Sequence, residues 1–433
     1  MSEHTPPVQT DRAGTTVTDE PAVIVVVSRK TPVMFGLLTL ALAAVAWFVP
    51  QPGETTFRLS TANDLFQIPD VTVSSQGTAW LMVALLAVCT AESARRYHAR
   101  KRTPLWLVAL FSLLMMIGFL SWAASGGTVP VIGLLAGSLA LAVPLVFGAL
   151  GGVLGERSGV VNIAIDGQLL AGAFAAALVG SVTGSAWAGV AGAAVAGLLV
   201  ASILALFAIN YYVDQVIVGV VLNVLVIGVT SFMFSQVLAP NTASLNTPPR
   251  LSAVAIPLLS DIPVIGPILF RQSPIVYLLY VAVAAVTWSL YRTRWGLRVR
   301  SVGEHPMAAD TVGINVNRTR WRTVLLAGAI AGGGGAFYTL VSVQAFNREM
   351  TGGAGYIALA AVIFGKWDPI RATLAALLFG FASNLQGVLS VLGSPVPSQL
   401  MLMLPYVVTI FAVAGLVGRS RPPAADGIPY RKG

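Results

Sequence analysis

The 433-residue chain has little of what soluble enzymes and redox proteins build their chemistry from. Its single cysteine, Cys89, excludes an intrachain disulfide. Three histidines, His4, His98 and His305, are too scattered to form a zinc cluster. Charged residues make up 10% of the chain, against about 25% in an ordinary soluble protein. The phosphate-cradling pattern G-x-x-x-x-G-K-[ST] is missing, because Gly365-Lys366 is followed by Trp367 and has no glycine at the required offset before it. Neither H-E-x-x-H nor G-x-S-x-G occurs, which removes the usual nucleophile and metal patterns of an intramembrane enzyme.

What is present is apolar. Hydrophobic residues make up 56% of the sequence and mean hydropathy is +0.80. A bilayer-spanning helix needs about 20 apolar residues. Runs of that kind are expected near 33–49, 78–94, 104–124, 131–155, 168–184, 187–209, 215–238, 274–290, 323–343, 352–365, 371–391 and 398–417. The expected fold class is therefore an all-α polytopic membrane protein with about twelve transmembrane helices (ten to twelve), some broken near the membrane midplane. The 43 glycines suit close helix packing in lipid, where small residues let backbones approach.

The net charge of +9 follows topology better than it follows nucleic acid. With the N-terminus in the cytoplasm, 26 Lys and Arg fall inside except Arg58, Arg250, Arg271 and Arg348, as the positive-inside rule requires. Both termini are expected to be cytoplasmic. Residues 1–32 read as a disordered tail, 33–125 as N-terminal spans of uncertain role, 126–418 as the main transmembrane domain and 419–433 as a C-terminal tail. No secretory signal is expected, since the first apolar run starts only near Pro32. An ion-coupled secondary transporter is disfavoured because no Asp or Glu falls near the middle of an expected span.

Two stretches interrupt the helical pattern. GERSGVVNIAIDGQ (155–168) places charged, amide and glycine residues between apolar runs, and GGAGYIALAAVIFG (352–365) is too short for a regular crossing. Interrupted segments in both halves of a membrane chain point to a transport site, since irregular backbone persists there only when buried or lining a cavity. The second segment is expected to cross the membrane irregularly. Polar side chains in or beside spans are the candidate substrate pathway: Asn162, Asn223, Gln344, Tyr356 and Asn384, with Phe346 as a stacking surface. An interhelical hydrogen bond or a core aromatic is the competing role for each. Glu156, Arg157 and Asp166, with Asp214, are candidate gate or boundary charges.

The longest basic loop, 291–322, contains Pro306 at a first helical position, helix-favouring residues after it and Gly313 as a stop, which predicts a short helix over 306–312. Within it GLRVRSVGEHPMAADTVGIN resembles the cytoplasmic loop of permease subunits in the branched-chain amino acid and ribose ABC importer superfamily. GERSGVVNIAIDGQ, DQVIVGVVLNVLV (214–226), LLSDIPVIGPILF (258–270) and GAGYIALAAVIFGKWDP (353–369) are similar to the nucleoside and simple-sugar branch. The matches run in order from about 131 to 417; Asp166 departs from the branch, which more often has Glu there. Residues up to about 125 carry no match.

The resemblance implies a plasma-membrane permease that is not itself an enzyme and has no cofactor of its own. ATP and Mg would be bound by a cytoplasmic ATP-binding subunit that docks on 291–322, where Arg298, Glu304, Ala308 and Gly313 are the candidate contacts. It further implies a second related permease subunit, an extracytoplasmic substrate-binding lipoprotein, contact with membrane lipid and a small-molecule solute, but no nucleic acid. Nucleosides are the expected solute, with a ribose-like sugar or branched-chain amino acids as alternatives.

Overall fold

The computed structural model describes residues 29–393 apart from 62, 63 and 65, then 396, 399, 400, 403 and 421–432. Among these residues ten helices are long and apolar enough to cross a membrane. They are α1 (Lys30–Phe48), α2 (Ser75–His98), α3 (Leu105–Ala123), α4 (Val131–Arg157), α5 (Ile165–Thr183), α6 (Ala186–Ala205), α7 (Gln215–Met233), α9 (Pro274–Arg292), α12 (Val316–Phe337) and α14 (Pro369–Val391). Wider i→i+5 turns carry α6, α7 and α12 on to Asn210, Leu238 and Ser342. Shorter helices are α8 (Thr242–Leu245), α10 (Arg294–Glu304), α11 (Pro306–Thr311) and α13 (Ala354–Phe364).

The apolar runs expected from the sequence coincide with these helices, except that 398–417 lies almost wholly outside the described residues; of the expected tail, 1–32, residues 1–28 also lie outside them. The first helix begins at Lys30, slightly earlier than expected. Helix starts are set by local chemistry. Asp214, read as a possible gate charge, caps α7 by accepting from the Val216 and Ile217 N–H groups at 2.8 and 3.1 Å. Asn315 and Asp368 cap α12 and α14 in the same way. The helix expected over 306–312 is α11, with Pro306 in its first turn and Gly313 beyond it at φ +84°.

Two features were not expected from the sequence. The connection after α1 supplies β1 (Glu54–Arg58) and β2 (Val71–Ser74), which form a three-stranded sheet with β3 (Thr128–Pro130), from the connection before α4, in the order β2-β1-β3. A second helix, α10, occupies the start of the basic loop, burying Gly296, Val299, Val302 and Gly303 along one side and exposing Leu297 and Arg298. The sheet marks one end of the bundle. At the other end lie Arg29, which bonds the Tyr97 hydroxyl, the C-terminus of α4, and α10 and α11.

The interior is α4, α5, α6 and α12 packed along one another, with α13 and α14 against α4. Apolar surface gains little by leaving lipid for protein, so backbone proximity supplies the cohesion. A Cβ placed on Gly332 of α12 would stand 2.6 Å from the Gly197 Cα of α6, and one on Gly172 of α5 would run into the Gly332 carbonyl. Gly332→Ala should therefore cost about 1–3 kcal/mol through overpacking. Its melting temperature in detergent should fall below that of Gly333→Ala, whose added methyl meets nothing within 4 Å. Equal melting temperatures for the two variants would refute this account of the interface.

Candidate functional site

After Arg157 the chain does not continue outward but turns back into the bundle. Gly159 takes φ +84°, and the Val160 N–H returns to the Gly155 carbonyl at 3.1 Å. Ile165, the first residue of α5, lies against Gly148 and Gly152 of α4, five to nine residues before α4 ends. At 1.5 Å per residue that is roughly 8–14 Å inside the helix end. Asp166 was expected at the membrane boundary; it sits buried at this depth instead.

The second interruption comes to meet it. Beyond Ser342 the chain runs without helix to Gly353, with Gln344 at φ +62°. Asn246 clasps this segment from the side: its Oδ1 accepts from the Phe346 N–H at 2.7 Å and its Nδ2 donates to the Phe346 carbonyl at 3.0 Å. The Thr351 hydroxyl donates to Asp166 Oδ2 at 3.3 Å, and the Gly355 N–H, in the first turn of α13, donates to Oδ1 at 2.9 Å. From there α13 leads to Trp367, which bonds Glu156 at the end of α4. The segment thus joins an irregular stretch to a short helix that ends beside the C-terminus of α4.

Asn223 of α7 closes the junction. It is 1% exposed, accepts from the Gly167 N–H at 2.7 Å, and donates to the Ile163 carbonyl at 2.9 Å and the Tyr356 hydroxyl at 3.0 Å. One side chain therefore satisfies two backbone groups of the first break and touches the second. Asn162 and Gln168 form a reciprocal amide pair beside it, at 3.0 and 3.2 Å.

The structure thus brings Asn162, Asn223, Asp166 and Tyr356 together. Phe346 lies apart from them, wholly buried against Phe174 and Phe234. Asn384 donates to the Leu134 carbonyl of α4 at 2.7 Å, and Gln344 is exposed. Tyr356 is 48% exposed and presents the junction's one expected polar side chain with a free face. Asn246, Thr351 and Gln168 were not singled out from the sequence. Gln168 stood within a recognised motif, whereas Asn246 and Thr351 act on partners about a hundred or more residues away and leave no local signal.

Glu156 and Arg157 anchor a second cluster at the arginine-rich end. Arg157 donates to the Trp367 carbonyl at 2.9 Å and stands 3.9 Å from Glu304. Arg298, Glu304, Ala308 and Gly313, the loop residues singled out from the sequence, are all exposed there. Next to them lie Arg320, 1% exposed, and Asp426 of the C-terminal residues. Burial pushes the Asp426 carboxyl up to about 7, against the opposing pull of the Arg320 guanidinium. A cavity of about 300 Å³, lined among others by Arg250, Ser252, Gln272, Ser273 and Phe337, contains none of the expected pathway residues.

Residues 134–413 match the family described as branched-chain amino acid transport system / permease component. The chain belongs to this permease family. The guanosine ABC transporter permease protein NupQ of Bacillus subtilis is 42% identical over 305 residues, covering 68% of this chain and 95% of the relative. The nucleoside ABC transporter permease protein NupC of Lactococcus lactis is 39% identical over 314 residues, 69% of this chain and 96% of its own. A putative glucose ABC transporter permease protein, TsgC13 of Haloferax volcanii, is 34% identical over 254 residues, 59% and 77% respectively. No solved structure matches. The permease is a multi-pass plasma-membrane transport component rather than an enzyme, and α1–α3 precede the family match.

Replacing Asn223 by Ala strands the Gly167 N–H and the Ile163 carbonyl in an apolar interior, at about 1–3 kcal/mol for each group. The purified variant should melt well below Asn384→Ala, which leaves the Leu134 carbonyl bonded by the Ser138 hydroxyl; similar melting points would show that the junction does not depend on Asn223. The Asp426 shift sets a second expectation. A carboxyl raised from about 3.9 binds its proton more tightly when docked. Docking of the C-terminal residues is then fully supported below about 4 and loses that support as pH rises through about 7. Exchange protection of the Ala425 N–H, corrected for intrinsic rate, should fall between pH 5.5 and 8, and Asp426→Asn should flatten that profile.

Proposed function

We propose that this permease is the membrane subunit of an ATP-driven importer and that its solute is a nucleoside. The arginine-rich end faces the cytoplasm, as the distribution of Lys and Arg requires, and the sheet end faces outward. The observation that carries the reading is the meeting of the two breaks at Asp166 and Asn223, inside a chain that shares 42% identity with a guanosine permease. Broken backbone inside a bundle is the architecture of transport sites at membrane depth. The chain has no phosphate-binding loop, so the driving energy comes from a partner.

That partner is an ATP-binding subunit, which holds ATP and Mg and docks on α10 and α11 through Arg298, Glu304, Ala308 and Gly313. A second related permease encloses the pathway with this one, and an extracytoplasmic binding lipoprotein delivers the solute. Within the junction the polar groups divide into two sets. Asn223 and Asp166 are occupied by hydrogen bonds that hold the backbone and Asn162 by its pairing with Gln168, while outside the junction Asn384 bonds the Leu134 carbonyl and Phe346 is a packing aromatic. Tyr356 and Gln344 keep exposed faces and are the groups available to a passing ribose or base. Similarity to a glucose permease supports a simple sugar as the second reading.

Uptake of labelled guanosine, glucose and leucine in cells with and without the chain tests the proposal. Guanosine accumulation should depend on the chain and on the phosphate-loop lysine of the ATP-binding partner. Loss of glucose uptake alone would favour the sugar reading, and loss of leucine uptake alone would overturn both. Tyr356→Phe, which keeps the ring, should change the KM for guanosine less than Tyr356→Ala.

A further inference from the structure

The C-terminal residues were expected only to be a tail, and they lie beyond the family match, which ends at 413. In the structure 421–432 is laid across the arginine-rich end and touches each piece that would carry force there. The Ala425 N–H donates to the Gly303 carbonyl of α10 at 2.9 Å, and the Ala424 N–H to Glu304 Oε2 at 3.2 Å. Arg320 of α12 donates to the Ile428 carbonyl at 3.0 Å. Tyr430 is buried with Val302 of α10, Ala309 of α11 and Val316 of α12. A Cβ on Gly159, in the first break, would stand 3.0 Å from the Ala425 carbonyl oxygen. Arg431 lies 5.1 Å over the Tyr212 ring, between α6 and α7.

Mechanically, α11 needs such support. It has six residues, far fewer than an isolated helix requires to persist in water. Only Ala309 of those six is buried, and Tyr430 packs in the same cluster. We propose that residues 421–432 are a brace that positions α10 and α11 against the first break, so that displacement of α11 by the ATP-binding subunit reaches α4 and α5. Tyr430 and Ala425 are its positioning residues. The proposal rests on the importer reading, and it identifies a segment outside the shared family region as part of the coupling path.

The test uses the whole complex, with ATP-binding subunit, second permease and binding protein, reconstituted in vesicles and measured for ATP hydrolysed and labelled guanosine moved. Removal of 421–433 and Tyr430→Ala should leave the ATP-binding subunit bound and ATP hydrolysis near the wild-type rate, while guanosine moved per ATP falls at least fivefold. Tyr430→Phe, which keeps the ring, should restore the ratio. Should the truncated chain fail to accumulate, Tyr430→Ala and Ala425→Pro, which removes the N–H bonded to Gly303, decide the matter. An unchanged ratio in those variants would overturn the brace. Dissociation of the ATP-binding subunit would overturn it equally, by making the segment a docking contact. Absence of ATP-dependent guanosine uptake by the wild-type complex would instead count against the importer reading.

Discussion

A backbone N–H or C=O exposed to hydrocarbon costs several kcal/mol, and the architecture of this permease depends on how two breaks in its helices escape that cost. The solution is to bring the breaks together and let side chains stand in for the missing helical bonds. Asp166 accepts from the Gly355 N–H, Asn223 serves Gly167 and Ile163, Gln215 accepts from the Val161 N–H, and Asn246 takes both backbone groups of Phe346. Residues far apart in the chain thereby fix one small region. Its surroundings are close-packed through glycine, which leaves the breaks no room to relax without moving whole helices.

Much of this was legible in the sequence. Apolar length gave the spans because lipid imposes a fixed thickness, and Pro306 with Gly313 gave α11 because each removes or permits one backbone geometry. The two interruptions were legible as departures from helical composition. Asn162 and Asn223 stood out because an amide in a span demands a partner. Which partner was not legible: the reciprocal pairing of Asn162 with Gln168, and the link from Asn223 to Tyr356, are products of tertiary packing.

Other features were hidden for physical reasons. The sheet of β1, β2 and β3 is short and joins strands from both sides of two helices, so no local alternation announces it. Asp166 looked like a boundary charge because its depth depends on the chain turning back after Arg157. The helix α10 was masked by its arginines; its buried side is carried by Gly296, Val299, Val302 and Gly303, two of which have no side chain to register as apolar. The C-terminal residues carry no periodicity and dock through backbone groups, Tyr430 and Arg431.

The amide of Asn223 is polarised in one sense only. Its oxygen faces an N–H while its nitrogen faces a carbonyl and a hydroxyl, so turning the group end for end would set donor against donor at Gly167 and acceptor against acceptor at Ile163. Rotating α7 by a single residue, about 100°, would point it elsewhere altogether. The starts of α5 and α13 and the middle of α7 are therefore keyed together as one block. Moving any one of the three segments by itself would break these bonds.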